Sequence, residues 1–135
     1  MKIKIIDYGY KNKPVRKHYS DAGLDVYLPN DIVVPKDGVV TVPLGFGLQL
    51  PDGFMAYFMP RSSFGKQGII PISPPIDSKY TGEIRLMLTA LEGSVKIEAG
   101  TRIAQLVIVP VVLADFVDDL GDERGVDSFG STGKR

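Results

Sequence analysis

The chain has 135 residues, 44% of them hydrophobic, with 16 basic and 16 acidic residues that cancel to a formal net charge of zero. One domain of this size can close a real core, while the lack of a basic surplus excludes duplex nucleic acid or an anionic membrane as the main partner. With no cysteine, disulfides, thiolate catalysis and Cys-ligated zinc are excluded as well, and a single histidine argues against a histidine-built metal site. The opening Met-Lys-Ile-Lys-Ile-Ile-Asp has no signal-peptide core, and no apolar run is long enough to span a bilayer, so a cytoplasmic protein is expected. No stretch carries helical periodicity of useful length. Short β-rich runs recur instead, divided by Gly, Pro and Asp. They predict strands over Ile3–Ile6, Leu24–Leu28, Ile32–Val34, Val39–Val42 and Phe46–Leu50, then Phe54–Met59, Ile69–Ile72, Glu83–Ala90, Val95–Ile97 and Arg102–Val112. The basic stretch Lys11 to His18 reads as a solvated loop, Pro35-Lys-Asp-Gly38 as a turn, and Ser62–Gly68 as one helical turn.

Some ten short strands at this spacing predict an all-β fold, a jelly-roll-like sandwich or barrel. Leu106–Leu113 is apolar almost without alternation, as in a strand covered on both faces, and one of those faces is expected to meet another subunit. Residues 1–123 read as one β domain, ending in an acidic lead, and 124–135 as a Gly- and Ser-rich arm that cannot bury enough apolar surface to fold alone.

Five segments carry chemistry. Pro60-Arg61-Ser62-Ser63-Phe64-Gly65 places a guanidinium and two hydroxyls at a strand-to-turn junction, which suits phosphate; the alternative is a Ser N-cap beside an Arg ion pair. Asp77, next to the rigid Pro74-Pro75 turn, can orient and deprotonate a water, and Tyr80 can pack against a sugar; the alternative is a plain hairpin turn with Tyr80 in the core. Asp25 opens a strand, as a turn cap or as a functional carboxylate. Gln105 lies inside an apolar strand, where an amide needs backbone or ligand partners. The arm Arg124 to Gly133 holds an Arg, a Phe and Gly-Ser-Thr-Gly, an inventory able to grip a nucleotide by its phosphates and its base.

In their order and spacing these segments resemble the trimeric dUTPase family. Asp21–Asp25 matches its Ala-Gly-x-Asp segment, Pro60–Ser63 its Pro-Arg-Ser-Gly/Ser, Ile76–Gly82 its Ile-Asp-x-Asp-Tyr-x-Gly and Gly100–Leu106 its Gly-x-Arg-Ile-Ala-Gln-Leu. Arg124–Gly133 matches eight of the ten positions of its Arg-Gly-x-Gly-Gly-Phe-Gly-Ser-Thr-Gly. The resemblance implies a jelly-roll homotrimer with a flexible C-terminal arm, which hydrolyses dUTP to dUMP and pyrophosphate at sites shared by three subunits. It implies Asp77 as the base that activates water at the α-phosphorus, and Arg61, Ser62, Ser63 and Gln105 on the phosphate chain. Mg²⁺ would ride mainly on the phosphates, with Asp25 reaching it at most through a water. Uracil would sit in the hairpin at Ile70–Asp77, with Pro74 and Ile76 in its wall, and Tyr80 would pack on the deoxyribose. Phe129 would cover the base, with Arg124, Gly130, Ser131 and Thr132 at the terminal phosphates.

The chain departs from the family pattern at Lys79, in place of the second Asp, at Ser73-Pro74-Pro75, where two N–H donors are missing, and at Asp127-Ser128, in place of Gly-Gly. The prolines leave open a related pyrophosphatase acting on dCTP or a modified pyrimidine deoxynucleotide. A dCTP deaminase would need a Glu where Met87 stands, and a non-catalytic nucleotide-binding regulator would have no need of Asp77.

Overall fold

The structure, a computed structural model, describes residues 1–121. Its strands are β1 (Lys4–Asp7), β2 (Gly23–Tyr27), β3 (Ile32–Val34), β4 (Val40–Pro43), β5 (Phe46–Gln49), β6 (Phe54–Pro60), β7 (Ile69–Pro71), β8 (Arg85–Ala90), β9 (Val95–Ile97) and β10 (Arg102–Pro110). A five-residue helix, α1 (Ser62–Lys66), joins β6 to β7. All ladders between named strands are antiparallel and form four small sheets: β1-β5, β2-β10-β6, β3-β9 and β4-β8-β7. This is the expected all-β, jelly-roll-like architecture, with each boundary moved by no more than two residues. The Pro35–Gly38 turn bends as its composition predicts, with Asp37 in the left-handed region at φ 57°. β10 stops at Pro110, short of the expected Val112, because the ring removes the N–H that would extend the ladder.

One core joins the four sheets. Leu86, Leu88 and Ala90 alternate inward along β8 at 0–1% exposure, and meet Phe46 and Leu48 of β5 and Leu106 of β10 in the same cluster. Each fully buried aliphatic or aromatic side chain contributes about 1.5–3 kcal/mol. No polar or charged side chain is buried among the described residues, so the core holds the sheets and contains none of the chemistry.

β10 breaks strict alternation at a bulge. Arg102 faces Tyr27 and Ala104 faces Val26, so two steps of β10 oppose one of β2. Ile103 and Ala104 both point inward, at 1% and 0% exposure. Arg102 and Gln105 are three residues apart and would occupy opposite faces of a regular strand; the extra residue puts both on the outer face. Among the described residues no helix is long and apolar enough to cross a membrane.

Candidate active site

The segment between β7 and β8 forms a hairpin pinned along both arms. Ile72 N–H donates to Met87 O at 2.9 Å, and Met87 N–H donates to Ser73 Oγ at 2.8 Å. Ile76 exchanges two backbone hydrogen bonds with Ala56 of β6, at 2.7 and 3.0 Å. A turn follows, closed by Tyr80 N–H on Asp77 O at 3.1 Å. Between hairpin, turn and β8 lies a cavity of about 280 Å³. Pro74, Pro75 and Ile76 form one wall, Ile84 and Met87 another, and Asp77, Tyr80, Glu83 and Arg85 supply its polar groups. The volume is near the lower end of small-molecule sites.

Within this cavity the Asp77 carboxylate is exposed and has no hydrogen bond or ion pair among the described residues. Its oxygens are therefore available to a water or a ligand. Tyr80 is not a core residue: it is 42% exposed, with its hydroxyl donating to Glu83 O at 2.5 Å. The part of the alternative that put Tyr80 in the core is thereby excluded. Lys79 points to solvent.

A second group gathers on the outer face of the β2-β10-β6 sheet. Asp25 lies within β2, directly opposite Gln105, rather than capping the strand start. Arg102 Nη1 pairs with Asp25 Oδ2 at 3.3 Å, and Arg61 Nη1 donates to Arg102 O at 3.1 Å. Arg61 is thus anchored by a carbonyl and forms no ion pair among the described residues, unlike the alternative read from its sequence. Arg61 is also the N-cap of α1, without a side-chain cap bond, so neither serine is needed as a cap; Ser62 and Ser63 stay exposed on the first turn. Gln105 is half-buried, its Nε2 3.5 Å from Pro60 O, a contact at the limit of a hydrogen bond.

The two groups do not meet within one chain. Ile76 is bridged to Ala56, whereas Arg61 lies five residues farther along the chain, just past the end of β6, about 16 Å away at the rise of a strand. Asp77, Tyr80, Pro74 and Ile76 line the cavity; Asp25, Arg61, Ser62, Ser63 and Gln105 lie on or beside the sheet face. Arg124, Phe129, Gly130, Ser131 and Thr132, like Asp127 and Ser128, lie outside the described residues.

Sequence reasoning left Glu83, Arg85 and Arg102 without a role. The alternation of β8 would have exposed Arg85, which with Met87 lies opposite buried Leu86 and Leu88, whereas Glu83 precedes the strand and had no such signal. Arg102 had no comparable signal, because its face is set by the bulge.

Residues 10–133 match the family model for dUTPase. The deoxyuridine 5'-triphosphate nucleotidohydrolase of Corynebacterium diphtheriae is 39% identical over 128 residues, covering 89% of this chain and 84% of that protein. Among solved structures, a mutant dUTPase from phage phi11 of S. aureus, described with a structural Mg(II) ion, superposes with a TM-score of 0.80 at 18% identity, over 91% of this chain and 99% of that one. The native EIAV dUTPase gives 0.76 at 26% identity, over 90% and 99%. The chain therefore belongs to the dUTPase family.

Proposed function

We propose that the protein hydrolyses dUTP to dUMP and pyrophosphate, with the pyrimidine nucleoside in the Asp77 cavity. The observation that carries this reading is an unengaged carboxylate beside an amphipathic wall: Asp77 has no partner among the described residues, while Tyr80 and the Pro74–Ile76 hairpin flank it. Asp77 takes a proton from a water as that water's oxygen attacks the α-phosphorus. The bond from that phosphorus to the α–β bridging oxygen breaks, and its electron pair leaves with pyrophosphate. Tyr80 packs on the deoxyribose, where a ribose 2′-OH would collide with its ring. Met87 stands in the cavity where a deaminase would need a carboxylate, and a thioether cannot carry a proton at neutral pH.

Arg61, Ser62, Ser63 and Gln105 bind the phosphate chain. Their separation from Asp77 supports a site completed by another copy of the chain, as a homotrimer provides. Exposed apolar side chains after β10 support the same assembly: Val112, Leu113, Val117 and Leu120 are exposed, and Phe116 is 97% exposed. The donor set fits a Mg²⁺ that arrives on the nucleotide. No three His, Cys, Asp or Glu side chains converge on a metal site among the described residues, and Asp25 already shares its carboxylate with Arg102. Bound in this way, Mg²⁺ would supply charge neutralisation on the phosphates, with Asp25 the residue that would hold it, at most through a water. Residues 124–135 are proposed as a lid, with Phe129 over the base and Arg124, Gly130, Ser131 and Thr132 over the phosphates. A cysteine-free chain acting on nucleotides is assigned to the cytoplasm.

Product analysis with each deoxynucleoside triphosphate and Mg²⁺ tests the reading. dUTP should give dUMP and pyrophosphate, with dCTP slower by about two orders of magnitude, the discrimination available when a polar base edge is left unpaired. Equal rates on dUTP and dCTP would overturn the base assignment and favour the donor-poor Pro74-Pro75 wall as a feature of a broader pyrimidine deoxynucleotide pyrophosphatase.

A further inference from the structure

From Asp77 to Glu83 the chain belongs to no ladder. It leaves the Ile76–Ala56 bridge and rejoins a sheet only around Ile84, whose N–H donates to Phe46 O at 2.8 Å. Apart from the turn bond at Asp77 and a 3.5 Å contact between Ser78 and Asp52, what fixes it is a closed circuit of four residues. Tyr8 N–H donates to Gly45 O at 2.8 Å, and Gly45 N–H donates to Glu83 Oε2, also at 2.8 Å. Tyr8 Oη donates to Thr81 O at 2.6 Å, so two ends of the circuit grip the segment two residues apart.

The circuit bears directly on Tyr80. Its hydroxyl ends on Glu83 O, inside the gripped stretch. Its ring lies over Gly82 so closely that a Cβ there would come within 2.8–3.1 Å of the ring and hydroxyl. On the other side, β5 presses against the same stretch: a Cβ on Gly47 would stand 2.6 Å from Gly82 O and 2.9 Å from the Tyr8 ring. Tyr8 and Glu83 therefore set where Thr81–Glu83 lies, and that stretch sets where the Tyr80 ring lies. Tyr8 also precedes residue 10, where the match to the family model begins.

We propose that Tyr8 and Glu83 are positioning residues that act through Tyr80, so that the preference of the cavity for a 2′-deoxy sugar depends on a clamp built from the end of β1 and the β4–β5 turn. This rests on the placement of the sugar against Tyr80 given above. A shift of the ring by a fraction of an ångström widens or narrows the gap that a 2′-OH must enter, while the phosphate-facing sheet stays where its ladder holds it.

The test is the ratio of kcat/KM for dUTP over UTP. In Tyr8→Phe the ratio should fall about fivefold, the equivalent of one net hydrogen bond, and Glu83→Ala should act alike while Glu83→Gln, which keeps an acceptor for Gly45 N–H, restores the wild-type ratio. A Tyr8→Phe/Tyr80→Phe cycle should be less than additive, since both changes loosen one ring. A purely structural role would lower the melting temperature and leave the ratio unmoved; an unchanged ratio in both Tyr8→Phe and Glu83→Ala overturns the inference. If the wild type itself shows no preference for dUTP over UTP, the placement of the sugar against Tyr80 falls, and the inference with it. A preference in the wild type with no effect of the variants overturns the inference alone.

Discussion

The two halves of the proposed site are held by different means. Asp25, Gln105 and Arg102 stand on the antiparallel ladders of one sheet, in which β10 is paired to β2 along one edge and, from Ala104 on, to β6 along the other. Asp77, Tyr80 and Glu83 stand on a segment without ladder bonds, fixed by the Tyr8 hydroxyl just past β1, by the Gly45 N–H of the β4–β5 turn on the Glu83 carboxylate, and by the Tyr80 hydroxyl. A ladder spreads the load over many backbone bonds and a packed inner face, so no single side chain decides where its outer residues lie. A clamped loop concentrates the load, and one hydroxyl matters. On the proposed reading, the half assigned to the phosphates is built for stability, and the half assigned to the sugar for fine adjustment of a gap.

Four substitutions separate these behaviours. Asp77→Asn should lower kcat by about 10²–10⁴, the range of general-base catalysis, with KM for dUTP little changed; a variant with full kcat would remove Asp77 as the base. Leu106→Ala, under the ladder at 0% exposure, should lower unfolding free energy by about 2–5 kcal/mol in urea titration while leaving the dUTP:UTP ratio intact. Gly82→Ala places a methyl against the Tyr80 ring. It should cut that ratio about tenfold, the equivalent of some 1.4 kcal/mol, with a much smaller loss of stability than Leu106→Ala. Arg102→Met removes an ion pair whose side chains are 34% and 19% exposed. It should shift the urea midpoint by less than about 1 kcal/mol equivalent, and a larger loss would mean that the ladder half leans on its outer charges after all.

How much of this is legible in the chain follows the same division. The strands are, because β-branched runs bounded by Pro and Gly report local geometry, as at Ile32–Val34 and Val95–Ile97, where expectation and structure coincide. Asp77 and Tyr80 are legible as a candidate pair from the rigid turn beside them. Glu83 is not: period two assigns it to the start of β8, yet the strand begins at Arg85, because the Glu83 carboxylate is drawn to Gly45 N–H, 38 residues away. The Tyr8 hydroxyl and its acceptor Thr81 are 73 residues apart. Periodicity reports which face a residue shows to its neighbours along the chain; it carries nothing about partners that only the closed fold brings together.

The bulge at Ile103 has a consequence for how this molecule can vary. It works as a parity shift: upstream of it odd and even positions of β10 exchange faces, and Arg102 shares the side of Gln105 only because one residue is counted twice. Exchanging side chains at 102–105 leaves that count intact. Removing Ile103 leaves Arg102 and Gln105 two residues apart, still on one face of a now regular ladder, and takes only the buried Ile103 side chain from the core. The double count rather than the length is what holds Arg102 in place: deletion of Ile103 should keep the Arg102–Asp25 pair and cost stability through lost burial, whereas a ladder straightened with every residue kept would turn the guanidinium into the apolar interior.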